Sequence, residues 1–473
     1  MRLYRFLWLS LLLVAALVIP AQSTLRAAPP SDDISAAGRV FYVSPGGSDS
    51  NPGTVTRPWK TIGKATRTLR AGDTVYIMSG TYREWVLLDD QANSGTAAQP
   101  IAYRAYPGHR PVLDGSTVYN AYRGLFEIVR TNHIQISGLV IRNSRVAGIH
   151  VRGSQGITMV DNWIERSKSS GIGAWRSNDI VAEGNVLVDC RIDPQGGNEM
   201  LTIASVTRFS VRYNEIYWTD KDCCGSTAGI NLKESSSEGW VIGNRLHDLP
   251  STGIYVDGWE GGNHSHHIAD NYIDNANTGI ALGSERGGTL SNVHIYNNVI
   301  HHMLYCGIRF QDVAQDGLRE NIYIYHNTIV GSYGHGGAGI LVGTYNVRNI
   351  VLTNNLVNFG PDTTCGQIKA YKPSAITSAN NLVYGPKLPT SDSRLVEVTQ
   401  GTITADPRFV DRVYQNFHLR ADSPARDRGS SVGLNRDHEG VPRPIGAGHD
   451  IGAYEYRVIG PMDKHSFIAL VVR

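Results

Sequence analysis

The sequence predicts an all-β protein, a right-handed parallel β-helix (solenoid) with a short N-terminal capping helix. Three observations carry that prediction. Asn followed by an apolar pair or near-pair recurs nine times, at Asn162-Trp-Ile, Asn185-Val-Leu, Asn214-Glu-Ile, Asn244-Arg-Leu, Asn271-Tyr-Ile, Asn298-Val-Ile, Asn327-Thr-Ile, Asn355-Leu-Val and Asn381-Leu-Val, in steps of 23 to 30 residues. A Gly-Ile pair keeps pace with it at Gly148, Gly171, Gly229, Gly253, Gly279, Gly307 and Gly339, mostly followed by alternating apolar residues. Helix-length periodicity is absent between residues 100 and 385, where turns rich in Gly, Asn, Asp and Ser separate strands of a few residues.

A fixed period of this size is the mark of a repeat architecture. Propeller blades need about 40 residues or more, and sandwiches do not repeat one corner at regular spacing. Coils of 23–30 residues suit a β-helix, in which alternate side chains fill a continuous core and each coil pairs only with its neighbours. The repeated Asn suits a corner because it tolerates the left-handed region and bonds locally to backbone. Stacked corner amides can also bond to one another along the column.

Taken in order, residues 1–23 resemble a secretory signal: Arg2 and Arg5, the apolar run Phe6 to Ile19, then Ala21-Gln22-Ser23, with a second possible cut near Ala27-Ala28. That run is short of the roughly 20 residues a membrane span needs, so the mature chain is expected to be secreted, with no membrane span. Residues 24–38 read as a linker and 39–120 as an N-terminal cap with the first coils. Within that block, Trp59 to Leu69 offers a short amphipathic helix with Ile62, Ala65 and Leu69 on one side. Residues 121–385 hold the repeat, 386–456 lose it and suggest a terminal coil and cap, and 457–473 form a tail. Cleavage after residue 23 removes two arginines and no acid, leaving 42 Lys+Arg against 42 Asp+Glu. A chain with no net charge has no electrostatic reason to seek nucleic acid. Cys190, Cys223, Cys224, Cys306 and Cys365 are too few for a disulfide scaffold and odd in number. An adjacent Cys223–Cys224 bridge, or one from either to Cys190, is compatible with their spacing.

The N-terminal block FYVSPGGSDSNPGTVTRPWKTIGKA, followed by AGDTVYIMSGTY, resembles the opening of secreted β-helix proteins of the pectate-lyase superfamily, most closely family 9 polysaccharide lyases and their uncharacterised relatives. The stretch Asp450-Ile-Gly-Ala-Tyr-Glu-Tyr456 is similar to the close of many such proteins. The resemblance implies a right-handed β-helix acting on acidic polysaccharide, often with calcium. Of the family's Asp-Asp-Gly-Trp-Asp calcium motif, Asp257-Gly258-Trp259-Glu260 keeps part; Val256 stands at the first Asp and Glu260 at the last. Of its Gly-Phe-Lys-Leu-Gly-Gly stretch, Gly279-Ile280-Ala281-Leu282-Gly283-Ser284 replaces the catalytic Lys by Ala281. The family mechanism therefore cannot operate here unchanged.

Strand alternation supplies candidate site residues independently. With Ile230, Leu232, Ile254, Val256, Ile280, Leu282, Ile308 and Phe310 inside, the outward residues are Asn231, Lys233, Tyr255, Asp257, Ala281, Gly283, Arg309 and Gln311, with Glu285 two positions beyond Gly283. Earlier coils add His150, Arg152 and Trp175, and Glu199 enters on a strand whose register is not fixed. Loops 186–198, 218–228 and 258–267 are expected to wall this face. Aromatic residues mixed with both charge signs suit a polysaccharide, with Trp175, Tyr255, Trp259 and Asn231 as binding residues. Elimination needs a cation for the substrate carboxylate and a base for the α proton, from Lys233, Arg309 and calcium on Asp257, Glu260 and Glu285. Hydrolysis needs two carboxylates about 5 Å or roughly 6.5–9.5 Å apart, from Asp257 with Glu285 or Glu199. A binding protein without turnover fits the same face. His264, His266 and His267 are expected in a polar loop and are a weak metal candidate.

Overall fold

The alternation of the Gly-Ile segments reappears as one face of a long coil. They form successive strands of a 12-stranded sheet, among them Ala147–Arg152, Ile172–Trp175, Ile230–Lys233, Thr252–Asp257, Thr278–Gly283 and Cys306–Phe310. The Asn-apolar segments form a 13-stranded sheet, and the segments before them form another. The three sheets enclose a parallel β-solenoid of about 10 turns with almost no helix. The structure is a computed structural model describing residues 38–193, 199–220, 227–332, 338–359, 367–385 and 392–458. The signal-peptide reading, Cys223, Cys224, Cys365 and most of the tail lie outside them. None of the described helices is long and apolar enough to cross a membrane.

The inward column is Ile, Leu and Val at zero or near-zero exposure, continuous from Val43 to Val398. The paired Gly is required by close approach. A Cβ on Gly253 would meet the Gly279 carbonyl at 2.6 Å and the Ile273 side chain at 2.7 Å, so the backbones of successive coils leave no room for it. The corner Asn form an uninterrupted ladder. From Asn162 to Asn381, each Nδ2 donates to the Oδ1 of the next coil's Asn at 2.9–3.0 Å, in eight consecutive links. The same Oδ1 also takes the backbone N–H of the preceding Asn, as Asn271 does from Asn244 at 3.0 Å.

The left-handed turn sits one residue earlier than expected. Positive φ, 51–65°, belongs to Asp161, Gly184, Tyr213, Gly243, Asp270, Asn297, His326, Asn354 and Asn380, each immediately before a ladder Asn. The turn residue makes the corner, and the Asn, freed from it, points its amide inward.

The ends also differ from expectation. The capping helix is only Ile62–Thr66, because Val43 bridges to Trp59 and Asp49 accepts the Lys60 and Thr61 N–H groups, holding that stretch extended. Glu84 then accepts the N–H groups of Ile62 and Gly63 at 2.9 and 2.8 Å. At the other end, Val396–Glu397 and Thr402–Thr404 extend two sheets, but the chain does not stop there. It runs back along the outer face of the Asn sheet. Gln415 meets Tyr272, Arg443 and His438 meet Asn297, Ala453 meets Thr328, and Ser430 meets Asn354. A second apolar cluster joins Phe409, Phe417, Leu419, Ile451 and Tyr454 to outward-facing Val299, Val330, Leu356 and Leu382. The C-terminal segment is thus a clasp laid across several coils.

Candidate active site

Register decides which outward residues meet. One column on the 12-stranded sheet runs Arg152, Trp175, Ala204, Lys233, Asp257, Gly283, residue under residue. A second, two positions earlier, runs His150, Gly173, Thr202, Asn231, Tyr255, Ala281, Arg309. Lys233 and Asp257 are therefore one coil apart, about 4.8 Å between backbones, and Tyr255 stands roughly 6.6 Å from Asp257 along the same strand.

Asp257 faces outward but is only 2% exposed, because the turn after it folds over. Its Oδ1 accepts the Trp259 N–H at 2.9 Å and the Glu285 N–H at 3.2 Å. Burial raises the Asp257 carboxyl above its ordinary value and the nearby Glu285 carboxylate adds to this, while the two N–H groups and the Lys233 ammonium oppose it. Glu285 is delivered by a short turn, Glu285–Gly287, rather than by the strand, which ends at Gly283. The Tyr255 hydroxyl donates to Glu285 Oε1 at 2.6 Å, with Gln311 Oε1 at 3.2 Å. Burial, Asp257 and Glu285 raise the Tyr255 phenol, so it stays a proton donor. Small residues beneath it are required, since a Cβ on Gly283 would lie 2.3 Å from the Tyr255 hydroxyl. Ala281, where the resemblance places the family Lys, is fully buried in this layer.

Trp259 takes a left-handed φ of 49° and lies between two cations, with Lys233 Nζ 5.3 Å and the Arg286 guanidinium 4.6 Å from its ring. Arg286 was not anticipated, and its signal was its place one residue after Glu285. Arg309 packs over Tyr305 at 4.8 Å, one coil beyond Ala281. Trp175 stacks on His150 at 4.9 Å and 27°, and both line a cleft of about 410 Å³ with Tyr122, Arg123, Arg152 and Glu234. Asn231 is nearly buried and donates to the Tyr255 carbonyl at 3.2 Å, so it braces the sheet rather than presenting an amide.

Glu199 precedes its strand; its Oε2 accepts the Ala228 N–H at 2.8 Å and lies 3.7 Å from Arg191. Burial pushes its carboxyl up to about 7, against the opposing charges of Arg191 and of Lys233, the register partner of Asp257. Two expectations are corrected. The expected loop 258–267 shrinks to four residues, because Gly262–Ala269 is a strand. His264, His266 and His267 accordingly lie in the sheet; His266 is fully buried against Asn263, and His267 stacks on Trp240. Cys190 is a buried free thiol against the Ile164 and Val188 carbonyls, not a bridge to Cys223 or Cys224. Parts of the two other predicted wall loops lie outside the described residues.

Calcium takes six to eight oxygen ligands. Here the Glu260 carboxylate is exposed and held by Arg286 at 2.8 Å, while Asp257 Oδ1 is occupied by two N–H donors. Among the described residues, Asp257, Glu260 and Glu285 do not converge as a metal group. This donor set does not fit calcium.

Residues 41–192 match a family model described as Pel9A-like, right handed beta helix region, and residues 195–383 match one described as right handed beta helix region. The chain is a right-handed, pectate-lyase-like β-helix protein. It is 27% identical over 445 residues to the uncharacterized protein YwoF of Bacillus subtilis (strain 168), covering 82% of this chain and 92% of that one. It is 32% identical over 123 residues to pectate lyase PEL9 of Emericella nidulans, covering 24% and 30% respectively. The crystal structure of pectate lyase Pel9A superposes with a TM-score of 0.57 at 16% identity, covering 89% of this chain and 97% of that one. At that identity the likeness is one of fold.

Proposed function

We propose that this is a secreted polysaccharide lyase that cleaves a uronic-acid-containing glycan by β-elimination on the outer face of the 12-stranded sheet. The observation that supports it most is the Lys233–Asp257 couple, a cation and a partly desolvated carboxylate in register on adjacent coils. The Lys233 ammonium binds the substrate carboxylate and offsets the charge that builds as the α proton leaves. Asp257, made more basic by burial, takes that proton. The bond from the β carbon to the glycosidic oxygen then breaks, a carbon–carbon double bond forms, and the departing oxygen takes a proton from solvent. The Tyr255 hydroxyl, which donates to Glu285 with Gln311 close by, braces this layer of the site. Trp259, flanked by Lys233 and Arg286, offers a ring face to a sugar beside two charges that attract an acidic polymer. Trp175, two coils from Lys233 in the same column, offers another about 10 Å away. The apolar run Phe6 to Ile19 supports export.

Incubation with pectate, alginate and glycosaminoglycans tests this reading. Ultraviolet absorbance of an unsaturated uronate is expected to grow in step with new reducing ends, and Lys233→Ala is expected to slow both by about 10²–10³-fold. A second reading has one observation of its own. Asp257 and Glu285 are neighbouring carboxylates in different surroundings, one raised by burial and one receiving a phenolic proton, which is how hydrolases separate acid from nucleophile. New reducing ends without absorbance, lost in Glu285→Gln, would establish that reading instead.

A further inference from the structure

We propose that Asp274, His301 and His302 form a binding site for a divalent transition-metal ion of the zinc class. The site lies on the Asn sheet rather than on the sheet that carries the groove, and it does not depend on the proposed reaction.

The residue three places after each ladder Asn points outward, and these residues stack in register: Tyr217, His247, Asp274 and His301. Neighbouring residues on a strand normally face opposite ways. His302 escapes that rule because its φ is 55°, in the same left-handed column as Asp248 and Asn275, and its ring swings back to the side of His301. Three ligand atoms then converge. Asp274 Oδ1 lies 3.2 Å from His301 Nδ1 and 2.9 Å from His302 Nδ1, and the two nitrogens are 3.1 Å apart.

With both nitrogens protonated the two rings donate to one carboxylate oxygen, and with either bare a nitrogen lone pair faces that oxygen. A cation at the centre takes all three ligand atoms together. Imidazole nitrogens and a carboxylate suit this ion class, and ligands about 2.0–2.1 Å from a tetrahedral zinc sit roughly 3.3 Å from one another. The site is built on one side and open on the other. His301 is fully buried between Tyr272 and Phe417, whereas the Asp274 and His302 side chains are 24% and 36% exposed, leaving a coordination position to water. Because Phe417 belongs to the returning clasp, a bound metal would also strengthen the seam between clasp and coil.

The test uses tag-free full-length mature protein, stripped with chelator and titrated with zinc chloride by calorimetry, with cobalt(II) as a spectroscopic probe. One equivalent is expected to bind, with a visible cobalt band displaced by zinc and a rise in melting temperature. His302→Ala, on the exposed side, should fold normally and bind at least ~10-fold more weakly. Asp274→Asn should do the same, and His267→Ala, on another sheet, should bind as wild type does. Absence of stoichiometric uptake, or equal affinity in a folded His302→Ala protein, would overturn the assignment.

Discussion

Lys233→Ala is expected to lower turnover on an acidic glycan by about 10²–10³-fold, the scale of losing one group that stabilises developing charge. Lys233→Arg keeps the charge but replaces the compact ammonium by a planar guanidinium, and should recover part of it. Turnover at saturating substrate measures both. Glu199 gives a separate prediction, read as stability against pH. Burial raises its folded pKa to about 7 from the ordinary 4.5. The proton is therefore bound more tightly in the folded chain. The stability this contributes is complete below the unfolded value and is lost as pH climbs through 7. Glu199→Gln keeps an acceptor for the Ala228 N–H and should flatten the melting temperature across that window, raising it above pH 7. An unchanged slope would remove Glu199 as the cause. At this scale the sequence was legible wherever alternation applied. Lys233, Tyr255 and Asp257 came out on one face because Ile230, Leu232, Ile254 and Val256 fixed the strand's phase. Glu199 was not legible, because it lies before its strand and its position depends on a hydrogen bond to another coil. Glu285 was placed near the site for the wrong reason, since a turn rather than the strand carries it there.

The Asn ladder belongs to the scale of the element. Asn271 receives two donations from Asn244 and makes its own to Val241 and Asn298. Asn271→Ala leaves several of these buried groups unpaired, each costing about 1–3 kcal/mol. A loss of several kcal/mol is expected in denaturant unfolding, against near-neutrality for Val413→Ala at an exposed turn position. The nine-fold Asn spacing announced the ladder, but not which residue would adopt the left-handed turn. Gly184 and Gly243 stand in that turn column, yet so do Tyr213 and His326, and only the geometry shows what they share. The same ladder supplies a ruler that sequence reasoning left unused. Counting three residues on from each Asn brings His247, Asp274 and His301 into one column before any coordinate is known.

On the scale of the whole molecule, a solenoid exposes strand edges at its ends, and the C-terminal segment answers with more than a plug. Its clasp is held by a fully buried ion pair, Arg443 to Glu455 at 2.7 Å, with Arg443 also donating to the Gly452 carbonyl and to Asn297. Arg443→Met leaves Glu455 charged and unpaired, and should cost about 3–5 kcal/mol. The expected result is an early unfolding step in which the clasp lifts from Val299, Val330, Leu356 and Leu382, detected by dye binding to exposed apolar surface. The ending Asp450 to Tyr456 drew notice as a resemblance; its role is local, since Asp450 and Glu455 accept backbone N–H groups that close the clasp. Loss of the repeat after residue 385 signalled a change of structure, but a segment folding back across several coils leaves no period to read.

The most direct test follows ultraviolet absorbance and reducing ends together on one acidic polysaccharide, in wild type and Asp257→Asn, with chelator present. Both signals should rise in wild type despite the chelator and vanish in Asp257→Asn. Reducing ends without absorbance, or absorbance that survives in Asp257→Asn, would contradict elimination at the Lys233–Asp257 couple.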